Sequence, residues 1–227
     1  MGWSEWIRDG VEVEPSLYAA DFRRLGEQID ALLGAGCRVF HFDCGDGHFV
    51  PPVTMGPVVL RSIARSIHET GGRLDCHLMV DDPAHHIEEF ASSGADSVTF
   101  HVEVAAEAAA RVAEEARAHG LGVGIAFNPE TEPARAAEVA SAAGADLVLC
   151  MSIHPGYSGQ SFMPEALGRI SQLRTLVDVP IQVDGGVGED NVRALRDAGA
   201  SLFVAGSSVF GANEPAEAYA RLAAAAA

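Results

Sequence analysis

Short apolar runs and longer amphipathic stretches alternate along the whole chain. The short runs are Val11–Ser16, Arg38–Asp43, Leu74–Met79, Ser97–Val102, Leu121–Phe127, Asp146–Met151, Pro180–Asp184 and Ser201–Ala205. Each is bounded by Gly, Pro or polar residues, which predicts a buried strand. Between them lie stretches of helical length with an apolar stripe, clearest at Asp21–Ala35, Pro83–Ser93, Ala105–His119, Glu132–Ala143, Pro164–Val177 and Glu189–Ala198. A small punctuation recurs before several strands: Gly34-Ala35-Gly36, Gly94-Ala95-Asp96, Gly144-Ala145-Asp146 and Gly199-Ala200-Ser201. A glycine there suits the left-handed residue that ends a helix. Helix, tight turn and strand in strict alternation predict a parallel sheet. Eight such units closing on themselves give a single-domain (β/α)₈ TIM barrel over residues 11–227, with residues 1–10 as an N-terminal lead-in. A doubly wound open sheet has the same periodicity and stays the alternative.

Composition narrows the function. The chain has 227 residues, 48% of them apolar, enough for one large core. Its formal charge of −17 leaves no footprint for nucleic acid or an anionic membrane. Any phosphate must therefore be held locally, by backbone N–H groups rather than a basic patch. No run of apolar residues is long enough to span a bilayer. Met1-Gly2-Trp3-Ser4-Glu5-Trp6 lacks the basic start and apolar run of a signal peptide. Cys37, Cys44, Cys76 and Cys150 show no paired spacing, so free thiols in a reducing cytoplasm are expected. The Ala223–Ala227 run reads as a helix end.

In such a barrel, chemistry collects where strands end and the following loops begin. Side chains alternate along a strand, so His41 and Asp43 share one face. With His77 and Asp184 they offer two imidazoles and two carboxylates from three strand ends. That donor set suits one divalent ion, Zn²⁺, Fe²⁺, Mn²⁺ or Co²⁺, without choosing among them. Taken singly, each His also reads as hydrogen-bonded structure and each Asp as a helix cap. Their convergence is the signal. Three glycine-bearing loops follow the sixth, seventh and eighth strands: His154-Pro155-Gly156-Tyr157-Ser158-Gly159-Gln160, Gly185-Gly186 and Gly206-Ser207-Ser208. Glycines let backbone N–H groups approach an anion, so these loops are candidates for phosphate. Ordinary turns are the bland alternative.

These segments, in this order, resemble the ribulose-phosphate 3-epimerase family from about Glu14 to Gly211. The likeness is carried by Pro15 through Phe22, His41 through Pro51, Leu74 through Val80, Asn128-Pro129, Met151 through Phe162, Val183 through Val187 and Ala205 through Gly211. The resemblance implies that His41, Asp43, His77 and Asp184 hold the metal and that Asp43 and Asp184 are the acid/base pair. It implies that Ser16 and His77 touch substrate and that Met79 and Met151 line the pocket. Gly156, Tyr157, Ser158, Gly159, Gly185, Gly186, Gly206 and Ser207 would surround the phosphate. The implied reaction inverts C3 of a ketose phosphate, converting D-ribulose 5-phosphate to D-xylulose 5-phosphate through an enediolate. A divalent ion would act as Lewis acid, and one Asp must start ionised and the other protonated. The implied partner is a small sugar phosphate, and homo-oligomers are common in that family.

Three positions depart from the family pattern. Gly45 stands where a methionine is usual, His154 where an asparagine is usual, and Tyr157-Ser158 where Phe-Gly is usual. Losing the methionine predicts a roomier or wetter pocket beside the metal. Simple repacking is one reading; a changed sugar, such as D-allulose 6-phosphate, is the other. Two readings of other classes also stand: a non-catalytic phosphate-binding barrel, and a metal-free lyase or decarboxylase. Among the remaining residues, His48 and Asp46 are expected to order their loop. His85, His86 and His119 are expected in solvent, and His101 is expected to be structural. Cys44 and Cys76 are expected to face away from the ligands.

Overall fold

The computed structural model describes Trp3, Trp6 and residues 10–227. The expected lead-in over residues 1–10 otherwise lies outside the described residues. Eight strands follow in the described chain: β1 (Glu12–Pro15), β2 (Val39–Gly45), β3 (Arg73–Met79), β4 (Ser97–His101), β5 (Gly122–Phe127), β6 (Leu147–Met151), β7 (Ile181–Asp184) and β8 (Leu202–Ala205). The helices are α1 (Leu25–Gly34), α2 (Pro57–Glu69), α3 (Ile87–Ser93), α4 (Val102–Ala105), α5 (Ala109–Ala118), α6 (Pro133–Ala143), α7 (Ala166–Arg174), α8 (Val192–Asp197), α9 (Ser207–Phe210) and α10 (Pro215–Ala226).

All neighbouring strands pair in parallel, in the order β1-β8-β7-β6-β5-β4-β3-β2. A parallel bridge between Ser16 and His41 brings β1 back to β2 and closes the ring. The open sheet is thereby excluded, since its edge strands would not meet. Alternation divides each strand. Phe40, Phe42, Cys44, Leu74, Cys76, Leu78, Val98, Phe100, Ile181 and Val183 join the core beneath the helices. Cys44 and Cys76 thus point away from the ligand candidates, as their register required.

Several helix boundaries differ from the periodic reading. The stretch Asp21–Ala35 opens with a 3₁₀ turn at Phe22–Arg24 before α1 begins. Asp21 accepts a hydrogen bond from the Arg23 N–H and so caps that turn. The stretch Ala105–His119 is broken, α4 ending at Ala105 and α5 starting at Ala109. Gly94 and Gly144 end α3 and α6 with positive φ, as the recurring punctuation predicted. The alanine-rich tail belongs to α10, which buries Ala218, Tyr219, Leu222 and Ala226.

The barrel interior is split. An apolar cluster joins Val39, Ala126, Leu147, Leu149, Met151, Ile153 and Leu202 with Trp3 and Trp6. The indole of Trp3 lies against Gly122, the first residue of β5, so the tryptophans cover the end of the barrel away from the strand C-termini. The rest of the interior is polar: Glu12, Glu14, Ser16, His41, Asp43, Asp75, His77, Ser97, Thr99, His101 and Gln182 are all buried. So many buried polar groups must satisfy one another, and that requirement shapes the site.

Candidate active site and metal centre

Four groups meet at the C-terminal mouth of the barrel. Donor atoms of His41, Asp43, His77 and Asp184 all lie within 4.8 Å of one another. β2 supplies the first two, two residues apart, and the parallel register sets Asp43 beside His77 on β3. Asp43 Oδ1 is 3.3 Å from His41 Nε2 and 3.2 Å from His77 Nδ1. Its Oδ2 accepts a 2.6 Å hydrogen bond from the Ser16 hydroxyl. Asp184, at the end of β7, places Oδ2 3.9 Å from His77 Nδ1. His41 Nε2 is buried and has no hydrogen-bond partner. A buried polar atom left without a partner is costly, and a cation among these donors would satisfy it. The residues present therefore fit a divalent ion with two nitrogen and two oxygen ligands.

Behind this set lies a second layer that strand-end reading missed. His41 Nδ1 is 2.9 Å from Asp75 Oδ2. Asp75 also accepts from the Ser97 hydroxyl at 2.7 Å and from the Gln182 amide at 2.8 Å, and that amide donates to Glu14 at 2.6 Å. A carboxylate on Nδ1 fixes the tautomer and turns Nε2 towards the cluster. The signal was available: Asp75 lies two residues before His77 and Glu14 two before Ser16, each on the same face as its partner. His101 also faces the barrel, with Nε2 2.8 Å from His77 Nε2. Burial pushes its pKa down to about 4, so it is neutral.

The two site carboxylates sit in opposed electrostatic surroundings. Burial disfavours the charge on Asp43, but the charge of His41 and the close approach of both imidazoles outweigh that and hold its carboxyl well below the usual range. Burial also acts on Asp184, and there the charge of Asp43 adds to it, so its pKa is pushed up to about 7. Among the protein groups alone, the two pKa values are pushed in opposite directions, so Asp43 is ionised where Asp184 still holds a proton up to about pH 7, the division an acid/base pair needs. Burial works against charge on His41 too. Asp43, Asp75 and Glu14 outweigh it and raise its pKa well above the ordinary value.

Above the cluster opens a cleft of about 510 Å³, counting the space open to solvent. Asp43 and Asp184 form part of its floor, with Ser16, Met79 and Met151 around them. Gly156, Tyr157, Ser158, Gly159, Gly185, Gly186, Gly206 and Ser207 line the remainder. His41 and His77 are fully buried beneath and do not line it, so the structure does not bring His77 to the cleft surface. Tyr18 lines the cleft and was not singled out from sequence. Two glycines show why the loops need them. Gly186 has φ +63°, and a Cβ there would stand 2.6 Å from the Phe162 nitrogen. Gly206 has no room to spare, since a Cβ would meet Ser158 Oγ at 3.2 Å and Ala19 at 3.4 Å. Bare backbone at these points lets three loops converge on one end of the cleft.

The expectation of extra space at Gly45 is overturned. A Cβ there would lie 2.8 Å from both the Pro52 carbonyl oxygen and Val50 Cγ2. Thr54 clamps the strand end, accepting from the Gly45 N–H and donating to the Asp43 carbonyl. The returning segment fills the volume a methionine would take. His154 also stays away from the cleft, pairing with Glu130 at the surface. Asp46 orders its loop as expected, accepting from the N–H groups of His48, Phe49 and Asp81. His48, His85 and His119 are exposed and His86 is half-buried.

Two carboxylates with opposed pKa shifts, over donors fit for a cation and inside a closed parallel barrel, define a (β/α)₈ site suited to proton transfer. Residues 12–210 match the family described as the ribulose-phosphate 3 epimerase family. A ribulose-phosphate 3-epimerase from Escherichia coli (strain K12) is 38% identical over 203 residues, covering 87% of this chain and 88% of its own. A cytoplasmic isoform of the enzyme from Oryza sativa subsp. japonica is 37% identical over 209 residues, covering 91% and 90%. The crystal structure of 3-hexulose-6-phosphate synthase from Salmonella typhimurium shares the fold, with a TM-score of 0.76 at 15% identity, covering 95% of this chain and 98% of that one. The chain belongs to the ribulose-phosphate 3-epimerase family, whose members are isomerases acting on carbohydrates.

Proposed function

We propose that this chain interconverts D-ribulose 5-phosphate and D-xylulose 5-phosphate by inverting C3, with Asp43 and Asp184 as the acid/base pair. The observation that carries this reading is the opposed pKa shift of two carboxylates within one ligand cluster. Asp43, kept ionised, is the base that removes the C3 proton. Asp184, kept protonated, delivers a proton to the other face, and the roles exchange in the reverse direction. Ser16 holds the second oxygen of Asp43 and so aims the first at the centre. Met79 and Met151 give the cleft an apolar lining that limits water around the reacting carbon. Backbone N–H groups at Gly186, Gly206 and Ser207 suit the phosphate of an acidic chain with no basic side chain in the cleft. His41, His77, Asp43 and Asp184 would hold the divalent ion. When bound, that ion would supply Lewis acidity for the negative charge that develops as the C3 proton leaves.

The filled space at Gly45 favours a pentulose over a longer ketose such as D-allulose 6-phosphate. A cytoplasmic location is supported by four unpaired buried cysteines and by the similarity to the cytoplasmic isoform from Oryza sativa subsp. japonica. No described helix is long and apolar enough to cross a membrane.

The test is a panel of pentulose and hexulose phosphates in D₂O, reading kcat/KM and deuterium at C3. Ribulose 5-phosphate should be the best substrate and should acquire deuterium only at C3. Asp43→Asn and Asp184→Asn should each lower kcat by about 10²- to 10⁴-fold. A better hexulose phosphate would reassign the sugar, and binding without exchange would leave a phosphate-binding barrel. Activity that survives rigorous chelation would favour the metal-free lyase class.

A further inference from the structure

His101 is buried next to the centre, the Glu103 side chain behind it is 22% exposed, and nothing above gives either a role in it. We propose that they form a relay that fixes the hydrogen-bond polarity of His77 and so keeps its Nδ1 free to ligate a cation. The inference rests on the metal reading above. Both are positioning residues, since neither lines the cleft.

The geometry is a chain of three groups. His77 Nε2 and His101 Nε2 are 2.8 Å apart, and the two rings are tilted by only 21° with centroids 5.0 Å apart. Two ring nitrogens at that distance share one proton, one donating and one accepting. On its other side, His101 Nδ1 is 3.2 Å from Glu103 Oε2. Glu103 is anchored in turn: its Oε1 accepts from the Asn128 N–H at 2.8 Å and from the Thr131 hydroxyl. The Phe49 ring packs on His101 with centroids 4.7 Å apart and holds its plane.

An ionised carboxylate only accepts. His101 must therefore present Nδ1–H to Glu103. A neutral imidazole has one N–H, so His101 Nε2 is an acceptor and His77 Nε2 is the donor facing it. With a cation at the centre, this polarity leaves His77 Nδ1 the lone pair that ligation needs; without one, the same atom stands 3.2 Å from Asp43 Oδ1 and is drawn to donate to it, so Glu103 is the group that tips the chain towards ligation. The opposite polarity would set the lone pair of His101 Nδ1 against a carboxylate. Asp75 does the same for His41 in one step. The two ligand imidazoles are thus each pinned by a carboxylate, one directly and one through a second histidine.

Glu103→Gln tests this with almost no change in shape. The Gln carbonyl would keep the bonds from Asn128 and Thr131, turning its NH₂ to His101. Every bond down the chain then reverses, and His77 Nδ1 carries a hydrogen where a lone pair is needed. The full-length protein, stripped with EDTA, is titrated with Zn²⁺ against a chromophoric chelator. Affinity should fall about 10- to 100-fold in the variant. Thr131→Val removes a donor to Glu103 without reversing anything, and should leave the Zn²⁺ affinity unchanged. If Glu103→Gln does not fold, His101→Gln, whose amide oxygen still accepts from His77, should bind Zn²⁺ more tightly than His101→Phe. Equal Zn²⁺ affinity in Glu103→Gln and in an unsubstituted protein that binds the ion overturns the relay and leaves the metal reading standing. An unsubstituted protein with no Zn²⁺ affinity sinks the metal reading and the relay with it.

Discussion

On the outer face of β2 and β3, Phe40, Phe42, Cys44, Leu74, Cys76 and Leu78 lie in one apolar cluster with the surrounding helices. On the inner face of the same strands, His41, Asp43, Asp75 and His77 are just as deeply buried, yet almost every contact is a hydrogen bond or ion pair. Outer contacts are non-directional, so a side chain of similar volume can replace another at modest cost. Inner contacts are directional and shared: Asp75 alone serves His41, Ser97 and Gln182. Removing one inner group strands several others. The outer face therefore carries stability, and the inner face carries the choice of which atoms point where.

The largest expected effect breaks the outer face. Phe42 is fully buried and meets Phe90 edge-on, with ring centroids 6.2 Å apart. Phe42→Ala should destabilise the fold by about 3–5 kcal/mol, read by chemical denaturation of the metal-free protein. Zn²⁺ affinity of the folded protein should hardly move, although Phe42 is flanked in sequence by His41 and Asp43. A matching loss of affinity would show that the two faces are not separable. The next effect is the converse. Asp75→Asn keeps the volume but offers one oxygen where Asp75 uses two. Zn²⁺ affinity should fall about 10- to 100-fold, while stability drops less than in Phe42→Ala.

The split between faces also explains what could be read from sequence. Strand alternation is a local property, so the outward turn of Cys44 and Cys76 and the inward turn of His41 and Asp43 were legible, as was the barrel itself from its repeating period. The convergence of His77 with Asp43 depends on register between strands, which no single strand specifies; the strand ends suggested it and the family resemblance strengthened it. Asp75 and Glu14 were missed because a buried acid two residues from a ligand looks like any polar residue until its partner on another strand is known. The role of Gly45 was misread for a related reason. Deleting a side chain suggests a void, but the segment Val50–Thr54 returns to fill it. Volume in a folded protein is settled by contacts distant in sequence.

Glu14 gives the most specific way to sharpen the comparison, and the smallest step when read one pH unit at a time. Its Oε2 accepts from Gln182 at 2.6 Å and stands 3.7 Å from His41 Nδ1, while Oε1 has no partner. Burial, with the charge of Asp75 adding to it and His41 opposing, pushes its pKa from 4.5 up to about 8. Between those two values the folded state holds a proton that the unfolded state has lost. Stability from this group is thus fully present below about pH 4.5 and is lost as pH rises through about 8. Glu14→Gln replaces it with a neutral group of the same shape. The stability difference between the two metal-free proteins should therefore shift against the unsubstituted one by up to about 1.4 kcal/mol per pH unit across that window. Denaturant titrations at several pH values would measure it, and taking the difference cancels the other titrating groups. A flat difference would mean that Glu14 stays charged in the folded protein and that the inner wall tolerates an additional unneutralised carboxylate, against the rule that its polar atoms are individually matched.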